Sequence, residues 1–211
     1  MKKANHKGET PFHLPSKPLL IVLSGPSGAG KDAILSRMKK SGYPLEFITT
    51  VTTRPRRAGE KNNVDYHFVS VEAFQKMLKA GGLVEWANVY GNWYGVPKEP
   101  LKRALAKGQD TIVKVDIQGA ATIKKIIPQA VFIFLAPPSM GELKRRLTQR
   151  QTESPFDLAR RLKTAEGEMK KLPLFDYVVV NRQDEIELVV TEVEAIITAE
   201  KRRVKPREIS L

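Results

Sequence analysis

The sequence predicts an α/β protein: a parallel sheet core with helices on both faces, a mixed β insertion and a helical lid. Three observations predict it. Short apolar runs alternate with longer amphipathic ones, a glycine-rich loop joins the first run to the first helical stretch, and from about residue 46 to about residue 98 the texture changes.

Residues 19–24 form the first continuous apolar run, as a strand buried on both faces requires, and residues 32–40 carry the first helical pattern. The changed region holds Thr-, Tyr- and Trp-bearing extended segments with one helix at 71–80, and is read as an insertion at about 48–98. Strand and helix then alternate at 111–116 and 118–127, at 131–135 and 139–150, and at 177–180 and 184–201. The connection 151–154 ends at Pro155, which suits the first turn of a further Arg-bearing helix. The lid is placed at about 148–161. Residues 1–18, basic and Pro-interrupted, read as a disordered lead-in rather than a secretory signal, 19–203 as one domain, and 204–211 as a tail.

Composition narrows the function classes. A chain of 211 residues suits one compact domain, and the absence of cysteine rules out disulfides and thiolate metal sites. No apolar run approaches the roughly 20 residues of a membrane-spanning helix, so a cytoplasmic protein without membrane association is expected. The net charge of +13 fits nucleic acid, an anionic surface or a small polyanion in a cleft, and composition does not choose among them.

The loop Gly25-Pro26-Ser27-Gly28-Ala29-Gly30-Lys31 lies between strand and helix, the context that makes G-x-x-x-x-G-K a phosphate cradle. Its glycines let backbone N–H groups converge on phosphate oxygens, the helix N-terminus adds positive potential, and Lys31 reaches the terminal phosphates. The next residue is Asp32, where the pattern has a Ser or Thr that ligates Mg²⁺. It is read either as a metal-binding carboxylate or as a helix-capping Asp.

Further motifs follow in order: Thr52-Thr53-Arg54, Arg57-Ala58-Gly59-Glu60, Val64-Asp65-Tyr66-His67-Phe68, Glu85-Trp86-Ala87, Gly91-Asn92-Trp93-Tyr94-Gly95, Asp116-Ile117-Gln118-Gly119-Ala120 and Val179-Val180-Asn181. Their order resembles the guanylate kinase family over about residues 19–200. The resemblance implies the P-loop nucleoside-monophosphate kinase fold, with ATP and GMP (or dGMP) as substrates, Mg²⁺ as cofactor, and no requirement for nucleic acid. It implies an acceptor site of Thr50, Arg54, Arg57, Tyr66, Glu85, Tyr94 and Asp116. Guanidinium forks and phenol donors suit the GMP phosphate, and Glu85 suits the guanine N1–H and N2 amine. It further implies Lys31 with Arg150 and Arg161 of the lid as catalytic cations, Asp116 also near Mg²⁺, and Asn181 near the ATP base.

Four positions depart from the family pattern: Asp32; Arg56 beside a displaced Pro55; Val96 for a guanine-binding hydroxyl; and Lys114 for an acid. Asp32 and Val96 also resemble the sister ribose 1,5-bisphosphate phosphokinases, which stand as an alternative. A binding module that has lost catalysis is a second alternative. The complete phosphate loop speaks against it.

Overall fold

The protein is described by a computed structural model covering residues 17–149, 155–182 and 184–211, with the backbone alone for 155–157. Its elements run β1 (Leu20–Ser24), α1 (Lys31–Ser41), β2 (Glu46–Ile48), β3 (Val51–Thr52), β4 (His67–Phe68), α2 (Val71–Lys79), β5 (Leu83–Val89), β6 (Asn92–Pro97) and α3 (Lys98–Ala106). They continue with β7 (Thr111–Lys114), α4 (Ile117–Ile126), β8 (Val131–Ala136), α5 (Met140–Gln149), α6 (Pro155–Met169), β9 (Tyr177–Val180) and α7 (Ile186–Lys201).

Five strands in the order β2-β7-β1-β8-β9 form the parallel core sheet. Alternation along β1 sends Ile21 and Leu23 to one face, where they meet Ile34 and Met38 of α1 and Val189, Val193 and Ile197 of α7. Leu20 and Val22 face the other way, onto Leu101 and Ala104 of α3 and Ala120 and Ile123 of α4. Burial on both faces is why β1 and β8 read as unbroken apolar runs. It also leaves the C-terminal strand ends as the open edge where chemistry collects, as is general for such sheets.

A second sheet, ordered β4-β3-β6-β5, holds the insertion. Strands β5 and β6 form an antiparallel hairpin with Glu85 opposite Val96 and Ala87 opposite Tyr94, and β6 pairs with β3. Helices α5 and α6 pack through Leu143, Leu147 and Ala165.

Two elements escaped the sequence patterns. Residues 46–48 lie in the core sheet, paired with β7, where Phe47 and Ile48 pack on opposite faces. Three residues are too few to show a period. Helix α3 begins at Lys98 and contains Pro100, which reads as a breaker in isolation. In the first turn its missing N–H has no intrahelical partner to lose.

The segment 204–211 has no regular structure but is fastened down. Arg207 donates to both oxygens of Glu200, a residue 2 % exposed, and to the Ala130 carbonyl, and Ile209 packs on the core. Among the described residues, no helix is long and apolar enough to cross a membrane.

Candidate active site

The phosphate loop leaves β1 at Gly25 with φ 147°, and Gly28 and Gly30 also have positive φ. A Cβ at Gly25 would stand 2.2 Å from the Leu135 carbonyl oxygen, and one at Gly30 would stand 2.2 Å from Asn181 Nδ2. Both positions therefore exclude any side chain. Ala29 is buried in the core, and Lys31 donates to the Gly25 and Pro26 carbonyls at 2.6 and 3.1 Å. Burial pulls the Lys31 ammonium below its ordinary pKa, and neighbouring Asp32 and Glu168 oppose that pull.

Asn181 stands behind the loop rather than in its cavity. Its amide donates to the Ala29 carbonyl at 2.7 Å, so its direct contact is with the cradle's backbone.

Across the same cavity lie Thr50, Arg54, Arg57, Tyr66, Glu85, Tyr94 and Asp116, together with Gly25, Ser27, Gly28, Gly30, Lys31 and Asp32 of the loop region. The acceptor-side residues span β3 to β7 in sequence, and the two sheets bring them to one wall. Arg54 is held by Glu60 at 2.7 Å and lies 5.5 Å from the Tyr66 ring centroid, while Glu60 also accepts the Arg57 N–H. Glu60 thereby sets the spacing of the arginine pair. The sequence pattern contained Glu60 but assigned it no role.

Glu85 is 3 % exposed, and its Oε2 has no hydrogen-bond partner. Its cross-strand neighbour Val96 is buried among apolar side chains and offers no donor. Burial first, and then the charge of Asp116, pushes the Glu85 carboxyl up to about 8. An ionised carboxylate without a donor is costly there, which is why the group holds its proton, and a ligand that supplied donors would favour the ionised form. Gly119 of α4 lies against it: a Cβ there would be 2.7 Å from Oε2.

Asp116 caps α4 by accepting the Gly119 N–H at 2.7 Å, and burial raises its pKa. Asp32 is ion-paired with Lys114. Among the described residues, no group of three or more metal-ligating side chains gathers. Two carboxylates beside a phosphate cradle suit a divalent cation that keeps most of its ligands as phosphate oxygens and water.

Arg161 of α6 lines the cavity, with Nη1 3.5 Å from Ser27 Oγ. Arg150 lies outside the described residues. Arg160 and Arg161 both approach the Tyr90 ring at 5.1 Å, so α6 reaches the tip of the β5–β6 hairpin. Glu168, near the end of α6, also lines the cavity, and burial pushes it up to about 7 against the pull of Lys31. Sequence reasoning missed Tyr90 and Glu168. Neither belongs to a motif, and only the packing of α6 over the cleft gives them a place.

A phosphate loop closing a parallel strand, facing Arg54, Arg57, Tyr66 and Tyr94 across one cavity, is the arrangement of a P-loop kinase. The guanylate kinase family model matches residues 17–200. The chain is 45 % identical over 187 residues to a guanylate kinase from Desulfitobacterium hafniense, covering 89 % of this chain and 92 % of that protein. It is 41 % identical over 194 residues to one from Carboxydothermus hydrogenoformans, covering 92 % and 93 %. A crystal structure of guanylate kinase from Anaplasma phagocytophilum superposes with a TM-score of 0.74 at 34 % identity, covering 90 % of both chains. The chain belongs to the guanylate kinase family.

Proposed function

We propose that this protein transfers the γ-phosphoryl group of ATP to GMP or dGMP, giving ADP and GDP or dGDP. The observation that carries the reading is the buried Glu85 oxygen with no donor, in the same cavity as the phosphate loop and the Arg54, Arg57, Tyr66 and Tyr94 cluster. Guanine offers N1–H and the N2 amine side by side to one carboxylate; adenine does not. A site with a buried polar group to satisfy rejects a ligand that leaves it unpaired.

The attacking GMP phosphate oxygen is already anionic, so no general base is required. It bonds to the γ-phosphorus as the bridge to the β-phosphate breaks, and that electron pair leaves on ADP. This chain's part is to hold the two phosphates in line and to neutralise charge. Lys31 serves the donor phosphates, Arg54 and Arg57 with Tyr66 and Tyr94 the acceptor phosphate, and Thr50 the guanine. Arg161, joined by Arg150, closes over the transferring group. Asn181 serves ATP by holding the loop.

Mg²⁺ is the divalent cation of this reading. Asp32 and Asp116 are the carboxylates that would hold it beside the phosphates, where it supplies charge neutralisation and alignment. Small soluble nucleotides as substrates suit a cytoplasmic protein that needs neither membrane nor nucleic acid.

The test is ADP release with ATP and, in turn, GMP, dGMP, AMP, UMP and ribose 1,5-bisphosphate. Turnover with GMP and dGMP is expected. Turnover with the sugar bisphosphate alone would move the chain to the sister activity, and none with any acceptor would favour the binding module.

A further inference from the structure

Lys114, at the end of β7, is left unexplained by the phosphate loop and by the acceptor cluster alike. Its side chain is 10 % exposed, and its ammonium lies over the Tyr66 ring, 3.8 Å from the centroid, and is paired with the Asp32 carboxylate. Asp32 follows Lys31 in the first turn of α1, and Tyr66 belongs to the acceptor wall. One ammonium therefore bridges the donor and acceptor ends of the cavity.

Stability does not account for this placement. Asp32 is 60 % exposed on its side chain, and a pair with so wet a partner returns little stability. Burying a lysine costs several times that unless the charge is used. A charged, buried cation facing a cavity already lined by Arg54, Arg57 and Lys31 is suited to an anion.

We propose that Lys114 is a binding cation for the acceptor's phosphate, and that Asp32 holds it in place until that phosphate arrives. On GMP binding the ammonium exchanges the Asp32 oxygen for a phosphate oxygen while it stays over the Tyr66 ring. Asp32 and the incoming phosphate compete for one cation. The inference rests on the GMP reading above and adds a residue to it.

The two halves of the pair then act in opposite directions, which no structural ion pair does. The experiment is calorimetric titration of GMP into the full chain in EDTA, with thermal midpoints recorded for each variant. Lys114→Met is expected to weaken GMP binding about tenfold or more, Lys114→Arg to hold it within roughly threefold, and Asp32→Asn to tighten it a few-fold. Parallel weakening in Lys114→Met and Asp32→Asn with lowered midpoints would make the pair structural and overturn the proposal, as would unchanged binding in Lys114→Met. If Lys114→Met does not fold, Lys114→Gln takes its place with the same expected loss. A wild-type chain that takes no GMP contradicts both this inference and the acceptor reading; one that binds GMP while the variants behave alike contradicts only this inference.

Discussion

The Glu85 carboxylate rests against Gly119, with no room between them for a methyl group: a Cβ at Gly119 would be 2.7 Å from Oε2. The obstacle is the mobile end of a side chain, so Gly119→Ala keeps the fold. In the first turn of α4 Ala is tolerated, with a gain below the ~1 kcal/mol of a helix interior. It displaces the carboxylate, however, and a misplaced charged acceptor costs about tenfold or more in KM for GMP, with KM for ATP unchanged. Steady-state kinetics with each substrate varied in turn check this.

Binding of GMP is predicted to release a proton. With the carboxyl raised to about 8 by burial and Asp116, the free site is largely protonated near neutral pH, whereas guanine donors favour the ionised form. Affinity therefore rises with pH below about 8, by up to about tenfold per unit. Calorimetry in buffers of different ionisation enthalpy measures the release, and Glu85→Gln removes the part that belongs to this residue. In the empty protein the sign is opposite. The raised pKa contributes stability that is complete below the ordinary carboxylate range and lost as pH rises through about 8.

Asn181 acts through the loop. Asn181→Ala leaves the Ala29 carbonyl without its amide donor, and a buried acceptor so abandoned costs about 1–3 kcal/mol. The expected result is a rise of roughly tenfold in KM for ATP with metal-free GMP binding unchanged. Equal loss for both nucleotides would make Asn181 a general core residue.

The final segment stabilises without touching chemistry. Arg207→Met takes from Glu200, a residue 2 % exposed, the partner that reaches both its oxygens and leaves it Tyr177 and the more distant Arg203, at a cost of about 3 kcal/mol at most. Urea unfolding should show that loss while kcat and both KM values stay in place. Burial draws the Glu200 pKa up, but hydrogen bonds from Arg207 and Tyr177 outweigh it and hold it low. Its contribution is thus present above the ordinary carboxylate range and disappears as pH falls through the lowered value.

The core was legible where one physical cause dominates. Strands buried on both faces must be apolar throughout, so β1 and β8 stand out; β9, an edge strand with Val178 exposed, is apolar as well, and the sequence bounds it at 177–180. The loop was legible because Gly25 and Gly30 have no alternative residue. What stayed hidden depends on distant partners: β2 is a strand only because β7 lies beside it, and Pro100 is harmless only because α3 starts at Lys98. In the site, residue types announced charge but not pairing. That Asp32 would meet Lys114, 82 residues away, or that Glu168 would come down on the cavity, follows from the packing of α1, β7 and α6 and from no local pattern.

The central claim, that one buried carboxylate selects guanine in a phosphotransfer cavity, is tested most directly by kcat/KM for GMP and for AMP in the wild type and in Glu85→Gln. Wild type is predicted to favour GMP strongly, and Glu85→Gln to lose that preference by about a hundredfold or more while ATP affinity stays within roughly twofold. An unchanged GMP-to-AMP ratio in Glu85→Gln would contradict the account.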